Sequence, residues 1–158
     1  MSSCLLGKKV RYDGGSLPVN DQLIEQWRNE GRVVSVCPEV ESGMSVPRKP
    51  AEIIAGDGLS VLDGRANVVE KEGGVVTDDF VSGASIALKL CKKFNIEVAV
   101  LAEGSPSCGS SFIYDGSFSG SRIAGMGVTA ALLRRHGIQV FSQYEMEDAN
   151  DAIHAQSD

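Results

Sequence analysis

At 158 residues with 42% apolar content, the chain has the size of one domain and can bury roughly two-thirds of its unfolded surface. A formal charge of −6 argues against a broad electrostatic grip on nucleic acid and for a small-molecule partner. No apolar run has the length of a membrane span and no signal peptide opens the chain, so a soluble, cytoplasmic protein is expected.

After a Gly-rich opening, "NDQLIEQWRNEG" has helical spacing, with Asn20 as N-cap, Leu23, Ile24 and Trp27 on one face and Gly31 at the end. "RVVSVC" reads as a short apolar strand, and "PEVESGMSVPRKP" as a loop, because Pro38 disfavours a continuing helix. "AEII" is a strand, and "LSVLDGRANVVEK" reads as a small β-hairpin turning at Asp63-Gly64. "VTDDFVSGASIALKLCKKFN" is the clearest helix: Asp78 and Asp79 lie in its first turn, Lys92 and Lys93 in its last, and Phe80, Ala84, Ala87 and Cys91 share a face. "IEVAVLAE" is a continuous apolar strand of the kind that parallel sheets bury on both sides. A long polar loop follows, and its "GSFSGSRIAGMG" reads as a flexible flap over a site. "VTAALLRRHG" returns to helix, "IQVFS" to strand, and "SQYEMEDANDAIHA" to a final helix with Ser142 and Glu145 spaced as a capping box. This alternation predicts a single α/β domain over 1–158, Rossmann-like, with a mainly parallel sheet flanked by helices and one small hairpin.

Four cysteines are present, Cys4, Cys37, Cys91 and Cys108. A cytosolic chain with its own core has little need of disulfides, which leaves free thiols, metal binding or catalysis. Cys91 falls on the apolar face of a helix and reads as a small buried hydrophobe. Ligands of open parallel sheets bind beyond the carboxyl ends of the strands. Cys37 ends "RVVSV", Cys108 follows Val98 to Leu101, and Cys4 joins them if the first residues run parallel to the others. Each of the three sits among turn formers, in "SCLLG", "CPE" and "SPSCG". A closed zinc site wants four ligands at short paired spacing, which this chain lacks. An iron–sulfur cluster usually takes four thiolates, so three would leave one iron open. Three loop cysteines without a metal remain the plain alternative.

"SSCLLGKKVRYDGG" (2–15), "VCPEVESGMSVPRKPAEI" (36–53), "SPSCGSSFIYDGSFSG" (105–120) and "GVTAALLRRHGI" (127–138), in that order, resemble the 2-thiouracil desulfidase family over nearly the whole chain. The family was long catalogued as a domain of unknown function. The resemblance implies a [4Fe–4S] cluster held by Cys4, Cys37 and Cys108 with one iron open. It also implies hydrolytic, non-redox replacement of a thiocarbonyl sulfur by oxygen, as in 2-thiouracil to uracil, with release of sulfide. Relatives carry a few apolar residues before the first motif, whereas Met1 here stands almost on Cys4, so the first strand is very short.

Within that reaction Glu39, two residues past Cys37, is the expected base for water. Its pKa is expected to be raised by the charge of a neighbouring cluster. Ser105 is the second catalytic candidate, and Ser107 with the N–H groups near Gly109 is placed to bond substrate or cluster sulfur. Tyr12 offers a face for stacking a planar base, Asp13 an acceptor for a ring N–H, and Arg48 a donor to a substrate oxygen or phosphate. Each of these has a local alternative: a turn for Tyr12, Asp13 and the serines, an ion pair with Glu39 for Arg48. Rival readings are a desulfidase of thiolated nucleosides, nucleotides or tRNA bases, a non-enzymatic iron–sulfur sensor, and a zinc protein with three thiolates. The oligomeric state stays open, a monomer included. A Cys–His hydrolase is disfavoured, since neither His136 nor His154 lies in a loop after a strand.

Overall fold

The computed structural model describes residues 1–157. From the N-terminus a 3-10 turn (Ser3–Leu6) leads to α1 (Gln22–Asn29), α2 (Pro38–Glu41), β1 (Ala51–Ile54), α3 (Gly58–Leu62) and β2 (Asn67–Glu70). There follow α4 (Thr77–Lys93), β3 (Val98–Leu101), β4 (Phe112–Tyr114), β5 (Arg122–Ala124), α5 (Val128–Arg135), β6 (Gln139–Ser142) and α6 (Met146–Ser157).

β3 and β6 pair in parallel, Val98 opposite Gln139 and Leu101 opposite Ser142. Two shorter segments extend this sheet. The Ser2 N–H donates to the Val100 carbonyl at 3.0 Å, and on the other side Ser2 bridges Val36 in parallel, with Val36 N–H to Met1 O at 3.0 Å and Ser3 N–H to Val36 O at 2.9 Å. The order across the sheet is therefore 34–36, 1–3, β3, β6, with α1 crossing between the first two segments. The first residues do run parallel to 34–36. Leaving the 1–3 segment, the chain goes to one side for 34–36 and to the other for β3, which makes a topological switch point beside Ser3.

Alternation along β3 divides the sheet's two faces. Ala99 and Leu101 pack with Leu88 and Cys91 of α4, Ala130 and Leu133 of α5, and Cys108. Val100 joins Ile24 and Trp27 of α1, Met146 and Ala149 of α6, and Cys4 on the opposite face. Helices thus cover both faces, and Phe80, Ala84, Ala87 and Cys91 are buried as their helical spacing implies. The cap of α1 is Asp21 rather than Asn20: its Oδ1 accepts the Leu23 N–H at 2.8 Å.

Three readings need correction. "LSVLDGRANVVEK" is not a hairpin turning at Asp63-Gly64. Asp57 caps α3 through the Ser60 N–H, Gly64 (φ 76°) ends it, and β2 pairs antiparallel with β1 instead. A glycine after a helix and a glycine in a tight hairpin share the same left-handed preference, so the dipeptide alone does not separate them. The segment after Cys37 is not all loop, because Pro38 opens the one-turn helix α2 at a position where its missing N–H has no intrahelical role. The segment 112–124 is a second antiparallel pair, β4 with β5, Phe112 opposite Ala124.

Candidate active site

A cavity of about 540 Å³ opens at the carboxyl ends of the parallel segments, and Cys4, Cys37, Cys108, Glu39, Ser105 and Arg48 all line it. The sheet order accounts for this convergence. Cys4 follows the 1–3 segment, Cys37 follows 34–36, and Cys108 lies in the loop after β3. Cys91 is elsewhere, in the core between α4 and the sheet. All four are free thiols.

Local structure aims each of the three. Cys4 is held within the 3-10 turn, its carbonyl accepting the N–H groups of Leu17 at 3.0 Å and Gly7 at 3.2 Å. Cys37 has extended backbone (φ −115°, ψ 106°) in the cap position of α2, where no side-chain cap bond forms, and its thiol lies 3.9 Å from the Val10 carbonyl oxygen. Cys108 sits in a tight loop in which the Ser105 hydroxyl accepts the N–H groups of Ser107 at 3.0 Å and Cys108 at 3.2 Å.

Burial, the largest cause, pushes all three thiols above the ordinary cysteine range, and the Glu39 carboxylate raises each further. Opposing contributions differ by site. Arg11 acts on Cys4, the Val40 N–H and Arg48 on Cys37, and the Ser2 and Ser107 hydroxyls on Cys108. Three thiols that resist ionisation and share one carboxylate suit a site completed by cationic metal, which takes the protons' place. Among the described residues, no three His, Cys, Asp or Glu side chains converge closely enough to hold one ion. The three thiols line one cavity, and soft sulfur donors are the ligands that iron–sulfur clusters take.

Glu39 divides its two oxygens. Oε2 accepts from Arg48 Nη2 at 3.0 Å, whereas Oε1 is buried with no hydrogen-bond partner. Arg48 is itself anchored, Nη1 donating to the carbonyls of Val10 at 3.1 Å and Ser45 at 3.3 Å. Its guanidinium therefore faces protein groups and orients Glu39. Tyr12 lies at the cavity wall, half-exposed. Asp13 is outside the cavity lining, and its Oδ1 accepts the Gly15 N–H at 2.8 Å in a turn. Ser107 does not line the cavity either; it is fully buried, 2.8 Å from Thr129 Oγ1 and 3.8 Å from the Cys108 sulfur. The β4–β5 hairpin supplies Phe112, Tyr114 and Arg122 to the wall, the Arg122 guanidinium lying 4.3 Å over the Phe112 ring. Glu103 also lines the cavity. Sequence reading passed over it, although its place at the end of an apolar parallel strand was a usable signal.

The family model for 2-thiouracil desulfurase matches residues 1–145. The chain belongs to this family. It is 45% identical over 148 residues to the uncharacterised protein YbbK of Bacillus subtilis (strain 168), covering 94% of this chain and 97% of that protein. A solved structure of a [4Fe–4S]-dependent thiouracil desulfidase, TudS, is similar at 45% identity and a TM-score of 0.89, over 98% of this chain and 95% of that one. The fold class expected from the sequence, α/β with parallel strands and helices on both faces, is the fold of that neighbour.

Proposed function

We propose that this chain is a [4Fe–4S]-dependent desulfidase that replaces the thiocarbonyl sulfur of a thiolated pyrimidine base such as 2-thiouracil with water oxygen. The observation that carries the reading is the meeting of Cys4, Cys37 and Cys108 around one cavity with an unpartnered, buried carboxylate oxygen on Glu39. The family match and the similarity to TudS support it.

Cys4, Cys37 and Cys108 would hold the cluster, leaving one iron without a protein ligand. When bound, the cluster supplies a thiophilic Lewis acid that makes the thiocarbonyl carbon electrophilic. The chain's own residues supply the rest. Glu39 Oε1 accepts a proton from water while Arg48 fixes the carboxylate through Oε2, so the base is aimed before substrate arrives. Ser105 accepts two N–H bonds, which leaves its hydroxyl proton free to donate to the attacking water or the substrate. The half-exposed ring of Tyr12 at the cavity wall offers a stacking face. The balance is C=S plus H2O to C=O plus H2S, with no electron gained or lost.

A thiolated nucleoside or nucleotide is the second reading, favoured by the cavity's size and by Arg11 and Arg122 in its wall. Anaerobic reconstitution with iron and sulfide, iron counting and an assay of uracil release test both. Uptake of four irons per chain, uracil formation, and loss of turnover with retained iron in Glu39→Gln are expected. A wild-type protein that takes up no iron sinks the proposal; loading without turnover of the free base, but with turnover of its nucleotide, selects the second reading.

A further inference from the structure

We propose that Glu103 is a positioning residue that sets the Cys108 loop, acting as a built-in anion clamped in that loop's backbone; as a statement about a cluster ligand, this rests on the function proposed above. Cys108 lies midway along the segment 105–112. The front half is gathered by the Ser105 hydroxyl through the Ser107 and Cys108 N–H groups. The back half is gathered by Glu103. Its Oε1 accepts the N–H groups of Ser110 at 2.7 Å, Ser111 at 3.0 Å and Phe112 at 3.4 Å, while Oε2 accepts the Ser110 hydroxyl at 3.0 Å. Consecutive N–H groups turned toward one point form a concavity of the kind that elsewhere binds phosphate. Here the chain's own carboxylate fills it, with a charge-assisted bond for each donor.

Two features make Glu103 more than a loop decoration. Its own N–H donates to Gln143 Oε1 at 2.9 Å, which ties the carboxylate's backbone to the end of β6. The Ser110 carbonyl, on the other side of the same residue, accepts from Arg134 Nη1 at 3.2 Å, and Arg134 Nη2 donates to the Val140 carbonyl at 3.0 Å. Ser110 is thus gripped from both sides by charged groups anchored on the parallel sheet and α5. Between the two grips the loop is tight: a Cβ on Gly109 would lie 2.6 Å from the Phe112 carbonyl and 2.9 Å from that of Ser105. The position of the Cys108 sulfur follows from these anchors, and the same carboxylate places Phe112 in the cavity wall.

The test is thiol-resolved. Apo full-length protein is pulsed with iodoacetamide, and each cysteine is quantified by mass spectrometry in wild type, Glu103→Gln and Glu103→Ala. Loss of charged hydrogen bonds that hold one loop should speed modification of Cys108 by about tenfold or more in Glu103→Ala, with Glu103→Gln intermediate. Cys91, in the same core cluster, should stay within about twofold of wild type, since global opening is not what changes. Equal acceleration of Cys91 and Cys108 would mean general loosening and would overturn the proposal, as would no change at Cys108. If Glu103→Ala does not fold, the isosteric Gln variant decides alone. In reconstituted protein, Glu103→Gln should bind iron and yield it faster to a chelator. A variant that keeps its iron as well as wild type overturns this inference alone, whereas a wild type that never loads overturns the functional reading beneath it.

Discussion

Gly83 lies inside α4, and replacing it with alanine would ordinarily strengthen a helix by about 1 kcal/mol. The packing here opposes that gain. A Cβ at Gly83 would stand 2.4 Å from the Pro38 carbonyl oxygen, 2.8 Å from its carbon and 3.1 Å from the Pro38 Cβ. An ordinary C···O contact is about 3.3 Å, so α2 and α4 would have to part by about 0.9 Å from the 2.4 Å position. Overpacking of this kind costs about 1–3 kcal/mol, and set against the helix gain leaves Gly83→Ala about 1 kcal/mol less stable. For a chain of this size that lowers Tm by about 2–4 °C. Function should suffer more than stability, because Cys37 and Glu39 flank Pro38 and move with it. Calorimetry on the apo-protein, iron counts after reconstitution and turnover of 2-thiouracil check the two halves separately. A Gly83→Ala protein that melts above wild type and turns over normally would refute the argument that this contact positions the site.

Arg48→Met should be strongly destabilising, because the Glu39–Arg48 side chains are only 13% and 9% exposed and stranding one member of a buried pair costs about 3–5 kcal/mol. Urea unfolding measures this, and a loss below about 1 kcal/mol would show that the pair does not constrain Glu39. Alanine at Cys4, Cys37 or Cys108 should each abolish full iron loading while Cys91→Ala retains it; iron analysis decides, and dependence on Cys91 would disprove the assignment of ligands. Glu103 is subject to burial that raises its pKa, but the N–H groups of Ser111, Ser110 and Phe112 outweigh this and hold it below the usual carboxylate value. A group depressed in the folded state contributes stability above its unfolded pKa and loses it as pH falls through the folded one. Glu103→Gln should therefore flatten the acid side of the stability–pH curve, with a loss that is largest and constant near neutrality and shrinks as pH falls through the folded pKa; a parallel curve would contradict the assignment.

Most of the helices were legible in the amino-acid order, because burial of one face imposes a period that survives without knowledge of the partner. Phe80, Ala84, Ala87 and Cys91 marked α4, and Cys91 was separated from the other thiols on that ground alone. Cys37 and Cys108 could be placed after strand-like runs, so their shared edge followed from the direction of parallel strands, whereas Cys4 joined them only on the condition that the first residues run parallel. What local order left undecided was the partner of each polar group. "DG" at 63–64 serves a helix end as readily as a hairpin, and only the pairing of β2 with β1 settles which. Arg48 and Glu39 are nine residues apart with a helix end, a turn and one proline between them, and nothing in their spacing states that the guanidinium serves the carboxylate rather than a substrate. Asp13 and Ser107 have the right chemistry for a site, but one faces a turn and the other the Thr129 hydroxyl. Glu103 shows the same principle in reverse: a carboxylate becomes a structural anion only when a loop several residues later turns its N–H groups back onto it. Sequence determines which groups a chain carries and which faces it must bury. Folding alone decides which donors and acceptors satisfy one another, and so which remain, like Glu39 Oε1, free to act.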